Sequence, residues 1–231
     1  MALKIVERPS PNHDGRSRGA AIDMLVLHYT GMPTAEAALT RLCDPAAKVS
    51  AHYTIDTDGC VYSHVPEDRR AWHAGVSYWA GEHDVNSRSI GIELVNPGHE
   101  FGYEPFADAQ IEALIELSKE ILSRHPIPAH RVLGHSDVAP ARKTDPGELF
   151  PWDWLAEEGI GLWPEPHALG EPLEAALAHF GYGFAPRADV PLDDVITAFQ
   201  RHFRPYRIDG IWSGECSRLL GGLLVEMRRL L

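Results

Sequence analysis

Cysteine is scarce in this chain. Its 231 residues hold three, Cys43, Cys60 and Cys216, an odd number with no C-x-x-C pair. That excludes a disulfide framework and a thiolate zinc knuckle, and the three read as ordinary buried thiols. Positive charge is short as well: 21 Lys and Arg against 33 Asp and Glu give a net charge of -12. Nucleic acid and anionic membrane surfaces both need a basic face, so neither is expected as a partner. No stretch approaches the roughly 18 apolar residues of a membrane span, and the opening MALKIVERPSPNHDGRSRG has no apolar run to act as a secretory signal. As written, the sequence reads as soluble and cytoplasmic, with the periplasm as the alternative if a leader has been removed. Internal repeats and low-complexity tracts are absent too.

What remains is an ordinary globular composition, 44% hydrophobic and 23% charged, able to bury a core. The length suits one large domain or a catalytic domain with a small companion. Thirteen His are more than packing requires, and His is the commonest metal ligand.

Residues 1–20, punctuated by Pro and Gly, read as an extended arm on the surface. The run IDMLVLHY at 22–29 shows little polar alternation, as in a strand buried on both faces, and puts His28 near its end. TAEAALTRL at 34–42 predicts a helix with Thr34 as N-cap. HYTIDTDGCVYSHV predicts a hairpin around Asp58-Gly59. SIGIELVN at 89–96 is a second buried strand, and 106–123 carries a helical period. HRVLGH at 130–135 predicts a short strand entering the loop SDVAPARKTDPGELFPW, where Pro and Gly forbid regular structure. A linker is expected at 164–171, followed by three helices near 172–181, 191–203 and 213–230. The expected division is a catalytic domain over 1–163, with its N-terminal arm, and a helical domain over 172–231.

Catalytic zinc needs three protein ligands and one position left for water, and the ligands commonly come from different strand ends. His28, His135 and Asp145 can supply two imidazoles and a carboxylate. Amide hydrolysis also needs a base and an oxyanion stabiliser. Glu93, an acid amid apolar neighbours, and Lys143, two residues before Asp145, suit those roles. Other readings stay open on spacing alone: His28 as a core histidine, Glu93 paired with Arg88 or Arg131, Lys143 as a solvated loop cation.

GHSDVAPARKTDPGELFPW, with VLHYTG, VSAHYTIDTDGCVY, RAWHAGVSYW and NSRSIGIELVN, closely resembles the type-2 N-acetylmuramoyl-L-alanine amidases of bacteria. The segments stand in family order over about residues 21–155. The resemblance implies an α/β fold, a central mixed β-sheet flanked by helices, and one zinc ion held by His28, His135 and Asp145. It makes Glu93 and Lys143 the catalytic pair and RAWHAG part of the substrate groove. Trp72 and His73 would lie against the sugar and lactyl region, Arg70 near a peptide carboxylate, and Asn86 near the peptide. His52 and His64 match no ligand position and read as structural. Some relatives carry Cys at the position of Asp145 and Tyr at that of Ala51; here the missing Tyr leaves its role to Glu93.

GYGFAPRADVPLDDVITAFQRHFRPYRIDGIWSGECSRLL resembles the peptidoglycan-binding three-helix domain. The implied reaction is hydrolysis of the amide between N-acetylmuramoyl, or its 1,6-anhydro form, and L-alanine by zinc-activated water, in peptidoglycan or (anhydro)muropeptides during cell-wall turnover. The rivals are a recognition protein that cleaves nothing, which would lack a ligand, and a zinc peptidase acting within the stem. Nothing in the sequence fixes the oligomeric state.

Overall fold

The computed structural model describes residues 3–186 and 188–229. The chain divides into two compact units, one running to Gly75 and resuming over Asn86–Ile127, the other comprising Val76–Val85 and the chain from Pro128 onward.

In the first unit β1 (Ile5–Glu7), β2 (His13–Gly15), β3 (Met24–Tyr29), α1 (Ala35–Cys43), β4 (Tyr53–Ile55), β5 (Val61–Ser63) and β6 (Arg69–Ala71) precede α2 (Val85–Arg88). The strand β7 (Ser89–Leu94), α3 (Gly98–Phe101) and α4 (Asp108–Arg124) follow. The strands β3 and β7, apolar and buried nearly throughout, pair in parallel at the centre, as two-faced burial requires. Thr34 caps α1 by accepting a 3.2 Å hydrogen bond from Ala37 N–H. The hairpin forms as expected: β4 and β5 are antiparallel, and Gly59 turns the chain at φ +81°. Helix α4 is fastened by a side chain, since the buried Gln110 amide donates to Ile55 O at 2.9 Å and Val95 O at 3.1 Å.

The N-terminal arm departs from the surface reading. β1 pairs with β5, β2 pairs with β6, and Ser10 and Asn12 are buried. Their polar groups are satisfied there: Ser10 Oγ donates to Leu42 O, and Asn12 Nδ2 donates to Asp44 O and Val49 O. Arg16 donates to the carbonyls of Glu67, Asn86, Ser87 and Ser89. Polar residues that look like solvent-facing ones are there to satisfy buried backbone.

The second unit holds β8 (Val132–Gly134), α5 (His135–Val138), α6 (Trp152–Glu157), α7 (Leu173–Phe180), α8 (Leu192–Phe203) and α9 (Gly214–Arg229). The expected strand at 130–135 is shorter. Residues Ala129–Arg131 form a 3-10 turn, and His135 opens α5 because the Asp137 carboxylate accepts the Gly134 N–H at 2.7 Å. Regular structure thus enters the first residues of the loop expected to have none. Within the first unit the mixed sheet runs in the order β1-β5-β4-β7-β3.

The three C-terminal helices fall where the pattern puts them, except that the expected end at 230 lies outside the described residues. Their motif residues have a mechanical role. Gln200 in AFQRHF accepts from Asp209 N–H and Gly210 N–H and donates to Ile211 O, closing the Asp-Gly-Ile turn. Arg204, 2% exposed, ties the same turn through Asp209 at 2.8 Å. The stretch ahead of α7 lies close on α9. His167 N–H donates to Arg218 O at 2.9 Å, and a Cβ on Gly221 or Gly222 would stand 2.3 or 2.0 Å from a carbonyl oxygen of that stretch. Cys60 and Cys216 are buried thiols as expected, whereas Cys43 is only half-buried.

Candidate metal centre and active site

The strand β7 builds one wall of the site by its period of two. Residues i, i+2 and i+4 of a strand share a face, so Ser89, Gly91 and Glu93 do. In register, His28 of β3 stands beside Glu93, and Val26 beside Gly91. Glu93 is therefore carried next to His28 on the same face of the sheet.

His73 packs on that face. A Cβ on Gly91 would lie 2.4 Å from its Cγ, so the ring fits only because position 91 has no side chain. His73 Nε2 is 3.0 Å from Ser89 Oγ, and its Nδ1 is 3.0 Å from His28 Nε2. The two rings meet edge to face at 5.1 Å. This contact engages His28 Nε2.

In the second unit, His135 Nδ1 and Asp145 Oδ2 are 3.0 Å apart, both residues buried. Among the described residues His28, His135 and Asp145 form a group that can hold a metal ion, one ligand atom from each lying within 4.8 Å of the others. Ligand atoms at zinc distances of about 2.0–2.2 Å in a tetrahedron stand roughly 3.4 Å apart. Two neutral imidazoles and one carboxylate, 1%, 3% and 6% exposed, fit a divalent cation by spacing, by charge and by donor type. Lys143 is half-buried in the loop that ends at Asp145, its N–H bonded to Ala139 O; no carboxylate pairs with its ammonium among the described residues.

The remaining sequence candidates take varied places. His73 is 8% exposed, with both ring nitrogens engaged, and sits behind His28. Asn86, 6% exposed, uses its Oδ1 to accept the His73 and Ala74 N–H groups, which pins the loop bearing His73. Arg70 donates to both oxygens of Asp14 at 3.2 Å. Trp72 is half-buried, and its Nε1 has no partner among the described residues. Arg88, one alternative partner of Glu93, is joined to Asp23.

His52 and His64 are held in the framework. His52 accepts Gly91 N–H at Nδ1, and burial followed by the Arg16 guanidinium pushes its pKa down to about 3. Burial also lowers His64, whose ring lies between Arg8 O and Thr54 Oγ1.

Sequence reasoning passed over Ser89, Gly91 and Asp137, and also an aromatic cluster one residue beyond His28. Tyr29 OH is 2.9 Å from His99 Nδ1, and His99 stacks on Tyr103 at 4.3 Å. The same-face period from Glu93 back to Ser89 was the signal available for the first two.

The fold and this group of side chains agree with an independent match: residues 18–148 fit the N-acetylmuramoyl-L-alanine amidase family. The chain belongs to that family, and it is an amidase of that kind. It is 38% identical to N-acetylmuramoyl-L-alanine amidase AmiD of Escherichia coli (strain K12), over 95% of this chain and 90% of the relative. It is 40% identical to 1,6-anhydro-N-acetylmuramyl-L-alanine amidase AmpD of Enterobacter cloacae, over 62% of this chain and 84% of the relative. Among solved structures, the complex of Escherichia coli AmiD with anhydro-N-acetylmuramic acid-L-Ala-D-gamma-Glu-L-Lys superposes with a TM-score of 0.80 at 37% identity, covering 91% of this chain and 92% of that one. AMPDH3 from Pseudomonas aeruginosa gives 0.81 at 34% identity, over 92% and 95%. No helix among the described residues is long and apolar enough to cross a membrane.

Proposed function

We propose that this protein hydrolyses the amide joining the lactyl group of 1,6-anhydro-N-acetylmuramic acid to L-alanine in soluble cell-wall fragments, with one zinc ion held by His28, His135 and Asp145. The observation that carries the reading is the approach of those three buried ligand atoms to within 4.8 Å, together with the register that sets Glu93 beside His28. Zinc, when bound, acts as a Lewis acid and lowers the pKa of water toward about 7. Glu93 orients the attacking water and takes its proton. The Lys143 ammonium donates to the oxyanion that develops on the lactyl carbonyl, and Glu93 then returns the proton to the departing alanine amine. His73, fixed by Ser89, keeps the His28 ring at its angle.

A preference for the anhydro form rests on relatives that carry it in their names or complexes. A cavity of about 490 Å³ lined by Tyr78, His83, Val190 and residues 138–142, which lead directly into Lys143, gives room for a stem peptide. We assign residues 172–231 as a peptidoglycan-binding-like module, an assignment supported by exposed Tyr206 and Ile211 on either side of the Asp-Gly turn.

One purified anhydro-muropeptide, digested and weighed by mass spectrometry, tests the reaction. The expected products are the free anhydro sugar and a peptide beginning with L-Ala; cleavage inside the stem would identify a peptidase instead.

Gly91→Ala is expected to displace His73, because the new Cβ lies 2.4 Å from the ring. Zinc affinity should fall on the order of 10-fold or more, with a stability loss of about 1–3 kcal/mol. Zinc titration of the apoprotein and a thermal melt check both; wild-type affinity would show that His73 does not set His28.

A further inference from the structure

Asp137 lies two residues beyond His135 in α5, and its carboxylate is 1% exposed. Oδ2 accepts the Gly134 N–H at 2.7 Å and the His202 Nδ1–H at 2.7 Å, and Oδ1 accepts the Tyr182 O–H at 2.7 Å. The first bond is local. The other two come from the C-terminal helical module, His202 from α8 and Tyr182 from just after α7.

Both donors are held in place. The His202 ring is stacked between Trp152, at 3.7 Å and 20°, and Phe203, at 3.8 Å and 9°. Its Nε2 is buried without a partner among the described residues, so Nδ1 bears the proton. Tyr182, 1% exposed, packs edge-on against Trp79 at 4.9 Å. Burial, and then the Asp137 charge, keep its phenol protonated well above the usual tyrosine range.

A module that only packed against the catalytic domain would present apolar side chains, because a buried polar group is costly unless satisfied. Here two buried donors converge on one carboxylate, and that carboxylate folds the turn from which His135 projects. A Cβ on Gly134 would touch Pro146 at 2.9 Å and Asp137 Oδ2 at 3.3 Å, so the same turn also backs onto the residue after Asp145.

We propose that the C-terminal helical module is a working part of the metal centre, with Tyr182 and His202 as positioning residues that lock Asp137 and thereby aim His135. The inference rests on the reading of His135 as a zinc ligand. Partners beyond the first ligands commonly set metal affinity by 10–100-fold.

The test uses the full chain. His202→Phe keeps the stacked ring and removes the donor, Tyr182→Phe removes only the hydroxyl, and His202→Asn returns an N–H near the place of Nδ1. Zinc affinity is read by competition with a chelating dye, and folding by circular dichroism. Both Phe variants are expected to fold and to bind zinc on the order of tenfold more weakly, with turnover recovered by added zinc, and His202→Asn to regain most of the affinity. Folded Phe variants with affinity within about twofold of the parent would overturn the inference. If His202→Phe does not fold, Tyr182→Phe decides the matter alone. Full-strength zinc binding by His135→Ala would instead overturn the ligand set, and this inference with it.

Discussion

Glu93→Gln is expected to keep the fold and the zinc while lowering kcat by roughly two to four orders of magnitude, the usual contribution of a positioned proton acceptor. The substitution preserves size and removes only the charge and the basicity. The register sets Glu93 beside His28, on the neighbouring strand of the sheet. Lys143→Ala should cost a factor of about 10² to 10³, as the loss of one oxyanion donor does. Steady-state kinetics on the anhydro-muropeptide, with zinc measured in the same samples, checks both. Near-parental kcat in either variant would remove that residue from the mechanism.

The second large effect concerns the metal itself. Asp145→Ala, or prolonged exposure to a strong chelator, is expected to bring turnover to background. Asp145 supplies the only negative charge among the three proposed ligands, all of them buried, and without it two imidazoles alone would face a dication. Zinc should return full activity to the chelated enzyme and none to the variant. Elemental analysis and a zinc-replenishment assay measure this, and chelator-resistant cleavage would show that no metal is needed.

Much of the fold was legible because it follows from period and punctuation. An apolar run with hardly a polar break gave β3, Asp58-Gly59 gave the hairpin, and Thr34 gave the start of α1. The candidate site was less so. His28, Glu93 and Lys143 each had a commonplace alternative on spacing alone, and only resemblance to a family ordered them. What spacing cannot convey is which side chain stands behind which. Trp72 and His73 are neighbours in sequence, yet His73 turns inward because Gly91 leaves a hollow there and Ser89 supplies a partner. Likewise Asp137 looks like one more acid in a polar loop until Tyr182 and His202, 45 and 65 residues further on, are found bonded to it. Long-range polar contacts leave no periodic trace in a sequence.

The family match begins at residue 18, while Arg16, just upstream of it, ties two separate backbone segments, at Glu67 and over 86–89. A truncated version trimmed to the limits of that match would leave four carbonyls without their donor, one of them on the strand that carries Glu93. Anyone shortening this enzyme for crystallisation or reuse should count the guanidinium as part of the catalytic body.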